Sequence, residues 1–450
     1  MTKRFTRGLK LGGYFLLGFL LVVGSGRLVQ KALDSVYHGE RAPYLQMPAP
    51  HAMSLRWQSV EQYKGRVNLG LRPESLNRPL LAKTAAEQHE FRLGKLEPLT
   101  RYYYSAGSET DVVYQGSDYW FVTPPKTGEA VPVRFWVTGD VGKAGIIQQQ
   151  VRDAMLQWLQ DNPRVGRAYL DFWLTTGDNA YRSGSNQQFQ DAFFQPYQDI
   201  LRNIPVWPAY GNHDARRWAF FDIFSLPEHG ESGGVPSHTE HYYSFDYANI
   251  HFVFLDSQDS DRDHDGKMAR WLTTDLKANV LPWTIVVFHH PPYSKGSHDS
   301  DDRDDSDGRL HDMRENLVPI LERYDVDLVL TGHSHVYERS HFMTCHYGDS
   351  STLKDAMILD KDRRFEKSLH KQSNQGTVYA VVGSSSKIDN ASLDHPVMAV
   401  AKSEAGSMVV DVNGNELVAR FINDRGFETD SFSIHKVKGI DPQKPKQLCH

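Results

Sequence analysis

Four runs of apolar and β-prone residues each end in a side chain that can bind a metal: RFWVTGD (134–140), DFWLTTGD (171–178), TIVVFHH (284–290) and VDLVLTGH (326–333). Such runs read as buried strands whose C-terminal ends deliver ligands into a cleft, which constrains the region to an α/β layered fold. Five short motifs follow one another along it: GDVG (139–142), GDNAY (177–181), GNHD (211–214), VVFH (286–289) and GHSH (332–335). Together they supply Asp140, Asp178, Tyr181, Asn212, His289, His333 and His335. These oxygen and imidazole donors suit two adjacent metal ions. One such motif carries little information. Five in order, four of them at strand ends, point to a two-metal hydrolase.

The remaining pattern divides the chain. From Pro43 to about Pro125 the sequence reads as short strands, MSLRWQSV, GRVNLGLR, EFRLGKL, RYYYSAGS and SDYWFVTPP, of a small β-sandwich. Its cluster Tyr102, Tyr103 and Tyr104 reads as strand packing. Pro124 and Pro125 mark a hinge. Beyond Val131 strands alternate with helical segments. Ile147, Val151, Met155 and Leu159 fall on one helical face, and Leu317, Ile320 and Leu321 on another. β character returns from Thr377 onward, so the catalytic region is expected to be two sheets enclosed by helices, spanning 131–437 with a tail at 438–450.

The N-terminus reads as an address. Lys3, Arg4, Arg7 and Lys10 precede an apolar run from Leu11 to Val23 that ends in Gly24-Ser25-Gly26, the order of a signal peptide within residues 1–30. The run is shorter than the ~20 residues of a spanning helix, although it could be retained as an anchor. Export to a periplasmic or secreted location follows, with membrane contact only if the segment is uncleaved. A net charge of −6 gives no footprint for nucleic acid. Cys345 and Cys449 are the only cysteines. Two unrelated thiols is the simpler reading; a bridge would tie the tail to the core, and spacing alone does not give their separation.

With these motifs in view, the chain resembles the purple acid phosphatase branch of the calcineurin-like metallophosphoesterases, most closely its bacterial exported members. Tyr181, three residues after Asp178, is the discriminating residue, and the stretches VDLVLTGHSHVYERS and CHYG agree. The resemblance implies an α-β-β-α sandwich over 131–437, preceded by a fibronectin-type-III-like domain over 40–126. It implies a ferric ion on Asp140, Tyr181 and His335, and a divalent iron, zinc or manganese ion on Asn212, His289 and His333, with Asp178 bridging. The donor chemistry agrees, because a phenolate is a hard anion suited to a trivalent ion whereas an amide and two imidazoles suit a divalent one.

Fourteen of the 21 histidines lie between His213 and His346, more than one site can use. His213 in GNHD and His298, nine residues after His289, are the candidates for binding phosphate or protonating a leaving group. His290 is expected to face away from the metals unless a kink at the strand end brings it in, and His264, His311, His341 and His346 to be surface or packing residues. DRDHDG (261–266) resembles the start of a calcium loop, but its twelfth position is Leu272 and not a glutamate. The run Asp299–Asp307 holds six aspartates opposed only by Arg303, and reads as a solvated loop at the rim of the cleft.

The expected activity is hydrolysis of phosphate monoesters by metal-bound hydroxide, with an acidic optimum at about pH 5–6.5. A phosphodiesterase or nucleotide pyrophosphatase could use the same metals. An exported binding or adhesion protein with a vestigial site is the third reading, opposed by the intact set of seven donors.

Overall fold

The computed structural model describes residues 37–439 and 449. The signal-like segment lies outside these residues. Among the described residues no helix is long and apolar enough to cross a membrane.

Two seven-stranded sheets form the region from Val133 to Val437. In one, Val133–Thr138, Phe172–Thr175 and Val206–Pro208 run parallel, and antiparallel strands Gly406–Asn413, Glu416–Asn423 and Glu428–Val437 extend the sheet beside Val133–Thr138. In the other, Ile250–Phe254, Trp283–Val287, Leu328–Thr331 and Val378–Val382 run parallel. Alternation along the strands explains how the layers pack. Phe135 stacks on Phe172 with centroids 5.1 Å apart, and both meet Phe252 of the opposite sheet edge to face. The intervening Trp136 and Trp173 point the other way, stacked at 4.8 Å and covered by Tyr197 of the helix Gln195–Leu201. Behind the second sheet, Val253, Val286 and Val329 pack with Leu272 and Leu276 of the helix Lys267–Ala278 and with Leu317 and Leu321. The expected helical faces are present: Val151, Met155 and Leu159 are buried and Ile147 half-buried.

The N-terminal all-β region occupies residues 41–122. Two of its expected strands are one. MSLRWQSV and the first six residues of GRVNLGLR belong to Ala52–Gly70, a 19-residue strand with register shifts between Gln58 and Tyr63 and between Lys64 and Arg66. Because this strand pairs with Arg41–Ala49, Arg78–Leu93 and Arg101–Ser108, the ladders form one hydrogen-bonded network. Tyr102 and Tyr104 are buried, as strand packing requires, and Tyr104 donates to the Arg202 carbonyl across the junction at 2.7 Å.

The cysteines correct the simpler sequence reading. Cys345 and Cys449 are disulfide-bonded, with Cα atoms 4.9 Å apart across 104 residues of sequence. Close approach in space, which spacing does not report, decides the pairing.

Candidate metal centre

Seven parallel strands end on one side of the two sheets, and the five motifs occupy the turns directly after five of them. Val206–Pro208 leads to Asn212, and Leu328–Thr331 to His333. The turns are tight enough to hold three non-glycine residues in left-handed backbone: Asp140 at φ 54°, Asp178 at 53° and His333 at 67°. Such conformations are costly and persist where the surroundings over-determine them. Here they are fixed by cross-turn bonds. The His333 amide donates to Asp140 Oδ2 at 2.8 Å, and the His213 amide to Asp178 Oδ1 at 2.8 Å. A Cβ at Gly211 would lie 2.2 Å from the Asp178 amide nitrogen, so the GN of the third motif is glycine because the second passes against it.

The seven predicted donors converge as two sets. Asn212 Oδ1 lies 3.0 Å from His289 Nε2 and 3.1 Å from His333 Nδ1, and those nitrogens are 3.2 Å apart. The Tyr181 hydroxyl lies 3.0 Å from Asp140 Oδ1 and 3.2 Å from His335 Nε2, which is 3.5 Å from that carboxylate oxygen. Asp178 reaches both, at 3.5 Å from His289 Nε2 and close enough to Tyr181 to act on its hydroxyl.

Proton bookkeeping shows what fits between them. His289 Nδ1 faces the Thr176 carbonyl at 2.9 Å and must carry the proton, leaving a lone pair on Nε2 in the neutral ring. That lone pair faces the Asn212 oxygen and the Asp178 carboxylate, a meeting of acceptors that a cation relieves. His335 is oriented in a similar way: Nδ1 donates to Asp389 Oδ2 at 2.5 Å, and Nε2 faces Asp140 and Tyr181, whose hydroxyl donates to Asp140 Oδ1. Donors bound at about 2.0–2.2 Å and roughly right angles stand about 3 Å apart, which both sets satisfy. The residues therefore fit two metal ions.

Electrostatics agree. Burial, reinforced by His290, His289, His298 and His335, holds His333 well below the ordinary histidine range, as a neutral donor. Burial also pushes the Tyr181 phenol well above its ordinary value, and the Asp140 and Asp178 charges push it further. Burial opposes ionisation of Asp140, but its hydrogen bonds and the nearby histidines outweigh this and keep it a carboxylate.

Two sequence expectations are corrected here. His290 does not face away. Strand alternation lapses after Val287, and the buried His290 ring lies 4.4 Å from that of His333 and anchors through Nδ1 to Ser257 Oγ at 2.8 Å. The acidic run is not simply solvated. Asp305 holds His298 Nδ1 at 2.8 Å, Ser306 Oγ meets His333 Nε2 at 2.7 Å, and Asp301 pairs with the buried Arg314 at 3.1 Å. His298 is thereby stacked on His333 with centroids 3.8 Å apart. His213 lies on the opposite side. Its Nδ1 donates to the Arg182 carbonyl at 2.6 Å, and its Nε2 is 3.8 Å from Asp178 Oδ2, at the edge of a cleft of about 670 Å³.

Sequence reasoning missed Asp389 and Asp214. Asp214 is buried and accepts from the Asn179 amide, the Asn179 side chain and the Gly211 amide at 2.9–3.0 Å, locking the second motif to the third. The D of GNHD was a signal for it; Asp389 has none.

Against known proteins, the calcineurin-like phosphoesterase family matches residues 133–337. The chain carries a calcineurin-like phosphoesterase domain. Among curated relatives, purple acid phosphatase 21 of Arabidopsis thaliana is 30% identical over 259 residues, 56% of this chain and 53% of the relative. The probable purple acid phosphatase 20 of the same plant is 24% identical over 323 residues, covering 67% and 70%. The chain thus spans about half the length of the first of these relatives. A purple acid phosphatase from yellow lupin (Lupinus luteus) seeds shares the fold, with a TM-score of 0.68, 18% identity and coverage of 88% of this chain and 75% of that one.

Proposed function

We propose that the protein is a dinuclear metal-dependent phosphatase acting on phosphate monoesters. The observation that carries this is the pair of metal-donor clusters sharing Asp178. Asp140, Tyr181 and His335 would hold a ferric ion, and Asn212, His289 and His333 a divalent iron, zinc or manganese ion. When bound, such a pair polarises phosphoryl oxygens and acidifies a water molecule. The chain's own groups do the rest. Asp305 and Asp389 hold His298 and His335 in orientation, and Thr176 does the same for His289. His213, reaching over Asp178 from the cleft, is placed to protonate the leaving oxygen, and His298 to hold the phosphoryl group from the other side.

Protonated histidine on the leaving-group side and a singly ionised substrate are both favoured by acid, so the expected maximum of kcat/KM is at about pH 5–6.5. Export belongs to the same reading. The basic-then-apolar order of residues 3–23 supports it, and so does the disulfide, which persists in oxidising compartments. The test is turnover of 4-nitrophenyl phosphate against bis(4-nitrophenyl) phosphate, with metal content measured on the same sample. Two metal equivalents and a monoester preference above about tenfold are expected. A diester preference, or a maximum above pH 8, would replace this reading with a phosphodiesterase.

A further inference from the structure

The cleft beside Tyr181 and His213 has a charge character unlike the rest of the site. Its volume of about 670 Å³ suits a small organic ligand. Lys143, Arg182 and Lys387 line it, together with one carboxylate, Asp191. Asp191 is engaged by Gln187 Nε2 at 2.8 Å, and Lys387 shares its charge with Asp389 at 3.0 Å. Lys143 and Arg182 are exposed. They are also placed by the metal-site turns themselves: the Lys143 amide donates to Ser386 Oγ at 3.1 Å, Ser386 in turn donates to the Asp140 carbonyl, and Arg182 directly follows the ligand Tyr181. Across the centre lies the opposite field, the aspartates of 299–307 around His298 and His333.

We propose that the cleft is a subsite for a second anionic group, so that preferred substrates are phosphate monoesters whose alcohol portion carries another phosphate or carboxylate. This rests on the phosphatase reading and adds the substrate class. With the phosphoryl group at the metal donors, the acidic loop repels a charged leaving portion on its own side. Lys143 and Arg182 attract it on the other, where His213 is placed to protonate the leaving oxygen. A neutral alcohol gains nothing from that field.

Turnover of phenyl phosphate, 4-carboxyphenyl phosphate and 1,4-phenylene bisphosphate tests the proposal. The two charged substrates should be preferred over phenyl phosphate in kcat/KM by about 10- to 100-fold, the worth of one or two charge-assisted contacts. A preference confined to one of them identifies the second group as carboxylate or phosphate. The variant Lys143→Gln/Arg182→Gln should bring the ratio close to one, and 0.5 M salt should shrink it in the unaltered protein. Calorimetric binding of 1,4-benzenebisphosphonate against phenylphosphonate gives a reading independent of turnover, with the same loss expected in the variant. A ratio near one in the unaltered protein, or one that survives both substitutions and salt, overturns the subsite. If no monoester is hydrolysed but the bisphosphonate preference behaves as stated, the phosphatase reading fails and the subsite stands.

Discussion

Two buried histidine environments in the same domain show how position decides what an imidazole does. His251, on the strand Ile250–Phe254, lies between two carboxylates, with Asp246 on Nδ1 at 2.7 Å and Asp275 on Nε2 at 2.8 Å. Burial there opposes the charge but loses to the two partners, and the ring is pushed up to about 9. His333 is equally buried, yet its neighbours are other imidazoles, and it is held well below the usual range. One ring is a fixed cation that ties a strand to a helix. The other is a neutral lone pair offered to a metal. The difference lies in the number and sign of the groups facing each nitrogen.

Removing the shared donor is the harshest challenge to the metal-site half of this contrast. Asp178→Asn should lower both metal equivalents and turnover together, to the limit of detection, as read by elemental analysis and 4-nitrophenyl phosphate hydrolysis. Full metal content in a soluble variant would show that Asp178 bridges nothing. His213→Ala should separate the two quantities, because the His213 ring packs on Tyr181 with centroids 4.3 Å apart while its Nδ1 is bonded to the Arg182 carbonyl and its Nε2 stands 3.8 Å from Asp178 Oδ2, so neither nitrogen belongs to a donor cluster. Metals should remain bound while kcat falls by about 10²–10⁴, the range for a general acid. An emptied site would make His213 a ligand.

The cationic half is tested by stability against pH. His251 has a folded value raised above its ordinary 6.5. Its contribution is therefore fully present below about pH 6.5 and is lost as pH rises through about 9. The shift corresponds to roughly 3 kcal/mol. Between pH 6 and pH 9.5 the urea unfolding free energy of the metal-free protein should fall by about that amount more than it does in His251→Gln, because other titrating groups such as His335 contribute equally to both. An equal pH dependence in the variant would mean the ring is not a cation in the fold.

These contrasts also mark where the sequence is readable. Asp140, Asp178, His289 and His333 were legible because each directly follows a β run, so local pattern alone places it at a strand end. His290 was misplaced because alternation holds only within a strand, and Trp283–Val287 has ended before it. The aspartates of 299–307 looked unopposed because their partners come from outside the run: the Arg314 guanidinium for Asp301 and the His298 ring nitrogen for Asp305. The long strand Ala52–Gly70 was read as two because Glu61 to Lys64 interrupts the apolar pattern, although the backbone continues through it. The disulfide and Asp389 share one obstacle. Each depends on tertiary approach between distant segments that have no local signature.

Asp389 supplies the smallest effect, and the sharpest one for the comparison. His335 stands between the two environments: like His251 it faces two carboxylates, but only the Asp389 contact is short, whereas Asp140 Oδ1 is 3.5 Å from Nε2. Burial works against its protonation, and the two carboxylates outweigh it, so without metal the ring sits above its ordinary value. A second carboxylate at full hydrogen-bonding distance would make it another His251. The longer contact leaves Nε2 available as a donor, with Asp389 fixing the proton on Nδ1. Replacing Asp389 by asparagine removes the charge that orients and strengthens this one donor, and nothing at Asn212, His289 or His333. Metal affinity should therefore fall by about 10- to 100-fold at one equivalent only, as is usual for the partner of a ligating histidine. Stepwise chelator titration of Asp389→Asn should show one weakened and one unchanged metal. Equal weakening of both would mean that the two donor sets act as one unit, and unchanged binding would mean that Lys387 and the surrounding packing already hold His335 in place.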